Sequence, residues 1–274
     1  METLSLVSLG CKMSQDLKVE ISKAGVATLT LNRPNLHNAF NDVLIASITK
    51  EIKRIEADDK VRIIVLTGEG RSFCAGADLN WMKGMIGYSE SENITDSKKL
   101  FAMFETINQC LKPVIGKING HALGGGVGLV SVCDFVMTHE KASFGFTETR
   151  LGLVPAVISS FCIDKIGKSN ARAWFLSGER FNATKAFEMG LVHEVTTVEE
   201  FESRFDAIVE SFILAAPKAQ LVAKKLIENI TKLNTEEVLT YSCQTIAKQR
   251  VSNEGQEGMK ALLEKRKANW IKNV

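Results

Sequence analysis

Two glycine-bearing turns are the stretches of this chain best suited to chemistry. The first is HALGGGVGLV, residues 121–130, with glycines at 124, 125, 126 and 128. A glycine inside a helix or strand costs about 1 kcal/mol relative to alanine, so a run of them marks backbone that must be bare. The run follows a predicted strand, PVIGKING (113–120), and precedes an apolar, helix-like segment, 127–132. Free N–H groups collect at a helix start, and the backbone dipole there favours negative charge. A bare turn at that place suits an anion or a developing oxyanion, and it equally suits tight packing of helix on sheet. No GK[ST] follows, so it is not a P-loop. The second turn lies in RSFCAGADLNWM, 71–82, after another predicted strand, VRIIVLTG (61–68). Cys74-Ala75-Gly76-Ala77 forms a bare edge, and Asp78 is placed to cap the segment after it. Two such turns could bring two N–H donors to one carbonyl oxygen, the geometry of an oxyanion hole.

The remaining reactive residue types give weaker patterns. His37, His121, His139 and His193 are not expected to cluster, and no Ser-His-Asp arrangement emerges. His121 stands near the glycine turn, where it could line a pocket or serve as a structural histidine. Cys11, Cys74, Cys110, Cys133, Cys162 and Cys243 are scattered with no CxxC spacing, which argues against zinc and for reduced core cysteines in a cytosolic protein.

The elements that must position these turns read as α/β. Residues 17–31 alternate apolar and polar around Ala24-Gly25, the pattern of a β-hairpin. Residues 38–55 place Ala39, Val43, Leu44, Ile48, Ile52 and Ile55 on one helical face. VRIIVLTG is apolar throughout, as befits a strand buried on both faces. A helix near 97–110, a strand over 130–139 and a short strand at 142–146 continue the alternation. Beyond residue 157 the only expected strand is LVHEV (191–195), and from 198 onward helices alone are expected. The division is a loose leader over 1–15, a core over 16–197 and a helical region over 198–274. No internal sequence repeat stands out.

Bulk properties exclude several classes. With 274 residues, 45 % hydrophobic and 24 % charged, the chain can bury a sizeable core. A net charge of +2 gives no strong pull toward nucleic acid or anionic membrane. No apolar run approaches the roughly 18 residues of a membrane helix. The first residues lack a basic region and a cleavage site. SLGC (8–11) departs from a lipoprotein box at Ser8, and Met13 is a possible alternative start. A cytoplasmic protein is expected.

NRPNLHNAFN, SFCAGADL, INGHALGGGVGL and FGFTETRLGLVP, in that order, resemble the crotonase family of enoyl-CoA hydratases and isomerases, over about residues 17–270. GGGVGLV, FGFTETRLGLVPAVIS and FLSGERF are most similar to the bacterial methylglutaconyl-CoA hydratase branch of leucine degradation. The resemblance implies an α/β spiral of ββα units with a helical C-terminal region, assembled as a homotrimer or dimer of trimers. It implies an acyl-CoA substrate and no metal or separate cofactor, since backbone rather than an ion polarises the thioester. By motif position, the N–H groups of Ala77 and Gly125 are the oxyanion donors. Leu36, His37, Ala75, Asp78, Leu79 and Gly124 fall where the family holds coenzyme A. Trp81 and Met82 are candidates for lining the acyl pocket.

One departure from the family pattern stands at the centre of the site. Hydratases of this kind carry two glutamates, and the first position is here Gly128, while the second is Glu148. A lone carboxylate can take a proton from water and return it to the α-carbon, or shuttle a proton between two carbons as an isomerase does. Phe144, Phe146, Leu151 and Leu153 are expected to surround Glu148 and raise its pKa. Arg150 could meet a distal carboxylate of the acyl group, or pair with Glu148. The resemblance also raises RNA binding, through a lysine-bearing helix. Here Glu51, Glu56, Asp58 and Asp59 nearly cancel Lys50, Lys53 and Arg54, which argues against it.

Overall fold

The structure is a computed structural model and describes residues 15–271. The leader, apart from Gln15, and the alternative start at Met13 lie outside the described residues.

The chain opens with the expected hairpin, β1 (Leu17–Ile21) paired antiparallel with β2 (Val26–Leu31). Leu17, Val19, Ala27, Leu29 and Leu31 are its buried set, so the alternation of the sequence becomes one buried face. Helix α1 (Asp42–Glu56) follows, with the Asn41 side chain accepting from the Leu44 N–H at 3.0 Å. It starts later than the periodicity predicts. Ala39 precedes it and Val43 is exposed, while Leu44, Ile48, Ile52 and Ile55 form the buried stripe with Ile45.

From here the chain winds in a repeating path. β3 (Ile63–Gly68) enters a large sheet and β4 (Ser72–Cys74) a small one, and α2 (Leu79–Met85) and α3 (Glu90–Asn108) return. β5 (Val114–Ile118), β6 (His121–Leu123) and α4 (Gly125–Ser131) make the second turn. β7 (Phe135–His139), β8 (Ser143–Gly145), a 3-10 turn (Thr147–Leu151) and α5 (Ser159–Ser177) make the third. The repeat is one of path, not of sequence. β9 (Arg180–Asn182), α6 (Ala183–Glu188) and β10 (Glu194–Thr196) complete both sheets. The large sheet has the order β1-β2-β3-β5-β7-β10 and the small one β4-β6-β8-β9. β4, β6 and β8 run parallel, so their C-terminal ends share one edge.

β3 shows why its sequence is apolar without alternation. Ile64 and Leu66 belong to the main core between the sheets, while Ile63 and Val65 join a second core with Ile115, Met137, Phe201, Phe205, Ile208 and Ile213. The second core is covered by α7 (Phe201–Leu214). Then come α8 (Pro217–Ile230), α9 (Thr235–Val251) and α10 (Asn253–Leu263), and among these Ala261 is the buried residue. Ile227, Leu239, Ile246, Val251, Leu262 and Leu263 stay exposed.

Two expected strands are corrected in their bounds, and one strand was missed. The strand predicted over 191–195 is β10, which begins at Glu194. The strand predicted over 130–139 begins at Phe135, because Val130 and Ser131 end α4. β9 was not expected from the sequence, being three residues long. Among the described residues no helix is long and apolar enough to cross a membrane. Cys74, Cys110, Cys133 and Cys162 are buried free thiols, and Cys243 is an exposed one.

Candidate active site

The two glycine turns meet at the C-terminal edge of the small sheet. Gly76, at φ +89°, carries the chain past β4, and a Cβ built on it would lie 2.8 Å from the Leu123 carbonyl and 3.6 Å from the Gly125 nitrogen. Only glycine allows that approach. The N–H groups of Ala75 and Asp78 donate to His37 and Phe40 carbonyls at 2.9 Å, and that of Gly124 donates to Gly145 at 2.8 Å. Among the described residues, the Ala77 and Gly125 N–H groups donate to no protein acceptor. Gly125 opens α4, where N–H groups have no partner within the helix.

The glycines of 124–126 each have a distinct reason. Gly124 adopts φ +51°, and a Cβ there would sit 3.1 Å from Glu148 Oε1. At Gly125 a Cβ would strike the Phe40 ring at 2.4 Å, and at Gly126 the Cys74 carbonyl at 2.2 Å. The packing reading of the run is what these contacts show. Helix-on-strand packing demands bare positions at 125 and 126, and the same packing presents the Gly125 N–H at the site. The Phe40 contact was not legible in the sequence.

Glu148 lies in the 3-10 turn after β8, which seats it beside Gly124. It is half-buried, and burial raises its pKa against the opposing hydrogen bond from its own backbone N–H. Its Oε2 has no hydrogen-bond partner among the described residues. The apolar surround differs from expectation. Phe144 and Phe146 are buried, but Leu151 and Leu153 are 63 % and 51 % exposed, because the chain turns outward at Gly152. Arg150 does not pair with Glu148. It is exposed, and its Nε donates to the Ser177 carbonyl at the end of α5.

The stretches expected to hold coenzyme A lie side by side. A bridge joins Phe40 to Ala77, with Phe40 N–H on the Gly76 carbonyl at 2.8 Å. Leu36 and Leu79 are exposed at 43 % and 75 %, and His37 stands in the left-handed region at φ 51°. The Asp78 carboxylate is not free. It caps α2 through the Asn80 N–H at 2.7 Å and holds Arg33 Nη2 at 2.7 Å. Burial alone would raise its pKa, but these donors hold it below the usual value. Trp81, half-buried, meets Phe40 edge-on at 6.3 Å, and Met82 is also half-buried.

The histidines depart from expectation. His121 is near enough to His37, His139, Arg71 and Arg180 for burial and those charges to lower its pKa. This group sits where β4, β6 and β8 begin, the edge opposite the glycine turns. His121 Nδ1 bonds Ser143 Oγ at 2.8 Å and His37 Nδ1 bonds Ser72 Oγ at 2.9 Å. His193 stands apart, its Nδ1 accepting from the Val136 N–H. Among the described residues no group of three His, Cys, Asp or Glu could hold a metal ion.

The fold is a layered α/β spiral that brings two N–H groups without protein acceptors and a half-buried carboxylate to one sheet edge. The chain matches the enoyl-CoA hydratase/isomerase family over residues 21–273 and belongs to that family. It is 32 % identical to the 2,3-dehydroadipyl-CoA hydratase of Escherichia coli, over 88 % of this chain and 93 % of that one. It is 30 % identical to the crotonyl-CoA hydratase of Syntrophomonas wolfei, over 90 % of this chain and 94 % of the other. A crystal structure from Legionella pneumophila, described as enoyl-CoA hydratase/isomerase (crotonase), superposes with a TM-score of 0.89 at 38 % identity, covering 93 % of this chain and 99 % of that one.

Proposed function

We propose that this protein is an enoyl-CoA hydratase, a lyase that adds water across the α,β double bond of an acyl-CoA thioester. The observation that carries the reading is the meeting of the unengaged Ala77 and Gly125 N–H groups with the partnerless Glu148 Oε2 on one sheet edge. The thioester oxygen accepts from both N–H groups. Glu148 takes a proton from water as its oxygen bonds to the β-carbon, and the π electrons move through the α-carbon onto the thioester oxygen. The enolate then collapses, and Glu148 returns the proton to the α-carbon. Removing one such donor typically costs on the order of 3 kcal/mol in the transition state.

Gly128 does not oppose this reading, because one carboxylate balances both proton transfers. The hydratase names of the relatives favour hydration over isomerisation. The finer assignment is 3-methylglutaconyl-CoA, supported by the motifs GGGVGLV and FGFTETRLGLVPAVIS. Arg150 gives it no support, since its guanidinium lies against Ser177. The exposed apolar residues of α8 and α9 support assembly with further copies, as a homotrimer or dimer of trimers.

The test is the absorbance of the conjugated enoyl thioester. Purified protein receives 3-methylglutaconyl-CoA, crotonyl-CoA and a 3-enoyl-CoA in parallel. Loss of absorbance with either of the first two is expected, and fastest loss with the first supports the finer assignment. A rise with the third alone would overturn hydration in favour of isomerisation.

A further inference from the structure

Gly124, Gly128 and Ser131 lie three and four residues apart on one side of α4, and the cap residue Gly124 begins that line. Their neighbours change in order along the helix. Gly124 faces the Glu148 carboxylate. A Cβ at Gly128 would lie 2.4 Å from Ile158 Cγ2 and 2.9 Å from Phe104 Cε1. Ser131 Oγ meets Cys162 Sγ at 3.2 Å, and the charge of Glu148 is felt at that thiol. Ile158 therefore lies against the middle of that line, at Gly128, between Gly124, which faces Glu148, and Ser131, which meets Cys162.

The space beside Gly128 is filled from the other side. Ile158 is 2 % exposed and Phe104 fully buried, and Phe104 packs on Phe161, which packs on Phe101 at 5.4 Å. Phe101 is 43 % exposed. An apolar wall thus runs from Gly128 toward the surface along α3 and α5. A longer side chain at 128 and a branched one at 158 exclude each other.

We propose that Ile158, backed by Phe104, is a specificity-determining residue that seats the second alkyl substituent of a β,β-disubstituted enoyl-CoA. This rests on the hydratase reading. Glu148 must face the water at the β-carbon, so the other groups on that carbon lie against what adjoins Glu148. One turn of α4 beyond Gly124, which faces Glu148, the side chains against Gly128 are Ile158 and Phe104, hydrocarbon with no hydrogen-bonding atom. A β-methyl gains contact there, whereas the β-hydrogen of crotonyl-CoA leaves the wall untouched. One methyl group in such a pocket is worth on the order of tenfold in kcat/KM.

The experiment compares kcat/KM for 3-methylcrotonyl-CoA and crotonyl-CoA, in hydration or in dehydration of the matching 3-hydroxyacyl-CoA, for wild type, Ile158→Ala and Ile158→Val. The wild type is expected to prefer the methylated substrate. The preference should fall about tenfold in Ile158→Ala and in the same direction in Ile158→Val. A folded Ile158→Ala whose preference moves less than about threefold overturns the proposal. If that variant does not fold, Ile158→Val decides, and an unchanged preference overturns it. A wild type that hydrates crotonyl-CoA without favouring the methylated substrate sinks the wall alone. A wild type that hydrates neither of these, nor 3-methylglutaconyl-CoA, sinks the hydratase reading and the wall with it.

Discussion

Gly124 and Glu148 are fitted to each other: the missing side chain of the first is the space that the carboxylate of the second occupies. A Cβ at 124 would stand 3.1 Å from Oε1 and 3.4 Å from Cδ, on a backbone at φ +51°. Gly124→Ala should therefore push the carboxylate aside and strain the turn that carries the Gly125 donor. A displacement of about 1 Å at a reacting group costs about 100-fold. The expected outcome is a kcat lowered about that far, measured at saturating acyl-CoA. An unchanged kcat in the Gly124→Ala variant would show that Glu148 has room to move without consequence.

Glu148→Gln should lower kcat by at least about 10³-fold, since the proposed mechanism passes both proton transfers through one group. It should also stabilise the fold at neutral pH. Burial raises the folded-state pKa of Glu148, so its contribution is favourable below the unfolded-state pKa and is lost as pH rises through the folded value. Once ionised, the carboxylate carries a desolvation cost, with Oε2 lacking a partner, that glutamine removes. A higher Tm at neutral pH, together with lost turnover, is the expected pair of readings.

The same shift fixes the acid limb of the rate profile. Glu148 must be ionised to accept a proton from water, so kcat/KM should rise with pH through one carboxylate pKa lying above the ordinary 4.5. Two acidic pKa values in that limb would point to a second carboxylate that Gly128 does not supply.

Asp78→Asn keeps a capping side chain but removes the charge facing Arg33, whose side chain is only 12 % exposed. Arg33 keeps a second carboxylate, Asp16 at 3.5 Å, so the loss should stay below the roughly 3 kcal/mol of a buried pair left uncompensated. The wild-type contribution is present above the unfolded-state pKa and is lost as pH falls through the lowered folded value. A Tm difference between wild type and variant should thus be wide at neutral pH and shrink in acid.

Much of the frame was legible because its physics is local. The hairpin of β1 and β2 shows in alternation, and β3 shows in a run of apolar residues that both cores require. The strand predicted from residue 130 failed at Val130 and Ser131 because a buried helix and a buried strand are equally apolar. The glycines announced a bare turn, but Phe40 and Ile158, which need it bare, come from distant segments with no signal of their own. Glu148 was reached through resemblance alone. Its surroundings were misjudged because Leu151 and Leu153 are neighbours in sequence and turn away in space.

Both N–H donors and the carboxylate are borne on turns between strands of one small sheet and the elements packed on it, not on a separate lid. Gly126 lies against Cys74 and Gly76 against Leu123, so the working parts are held by the contacts that join β4 to α4 and β6. Such a site has no independent softness to lose. On heating, residual activity and folded fraction should decay along one curve, with no temperature range in which the protein is folded but idle. A separation of the two curves would reveal a local opening within this edge.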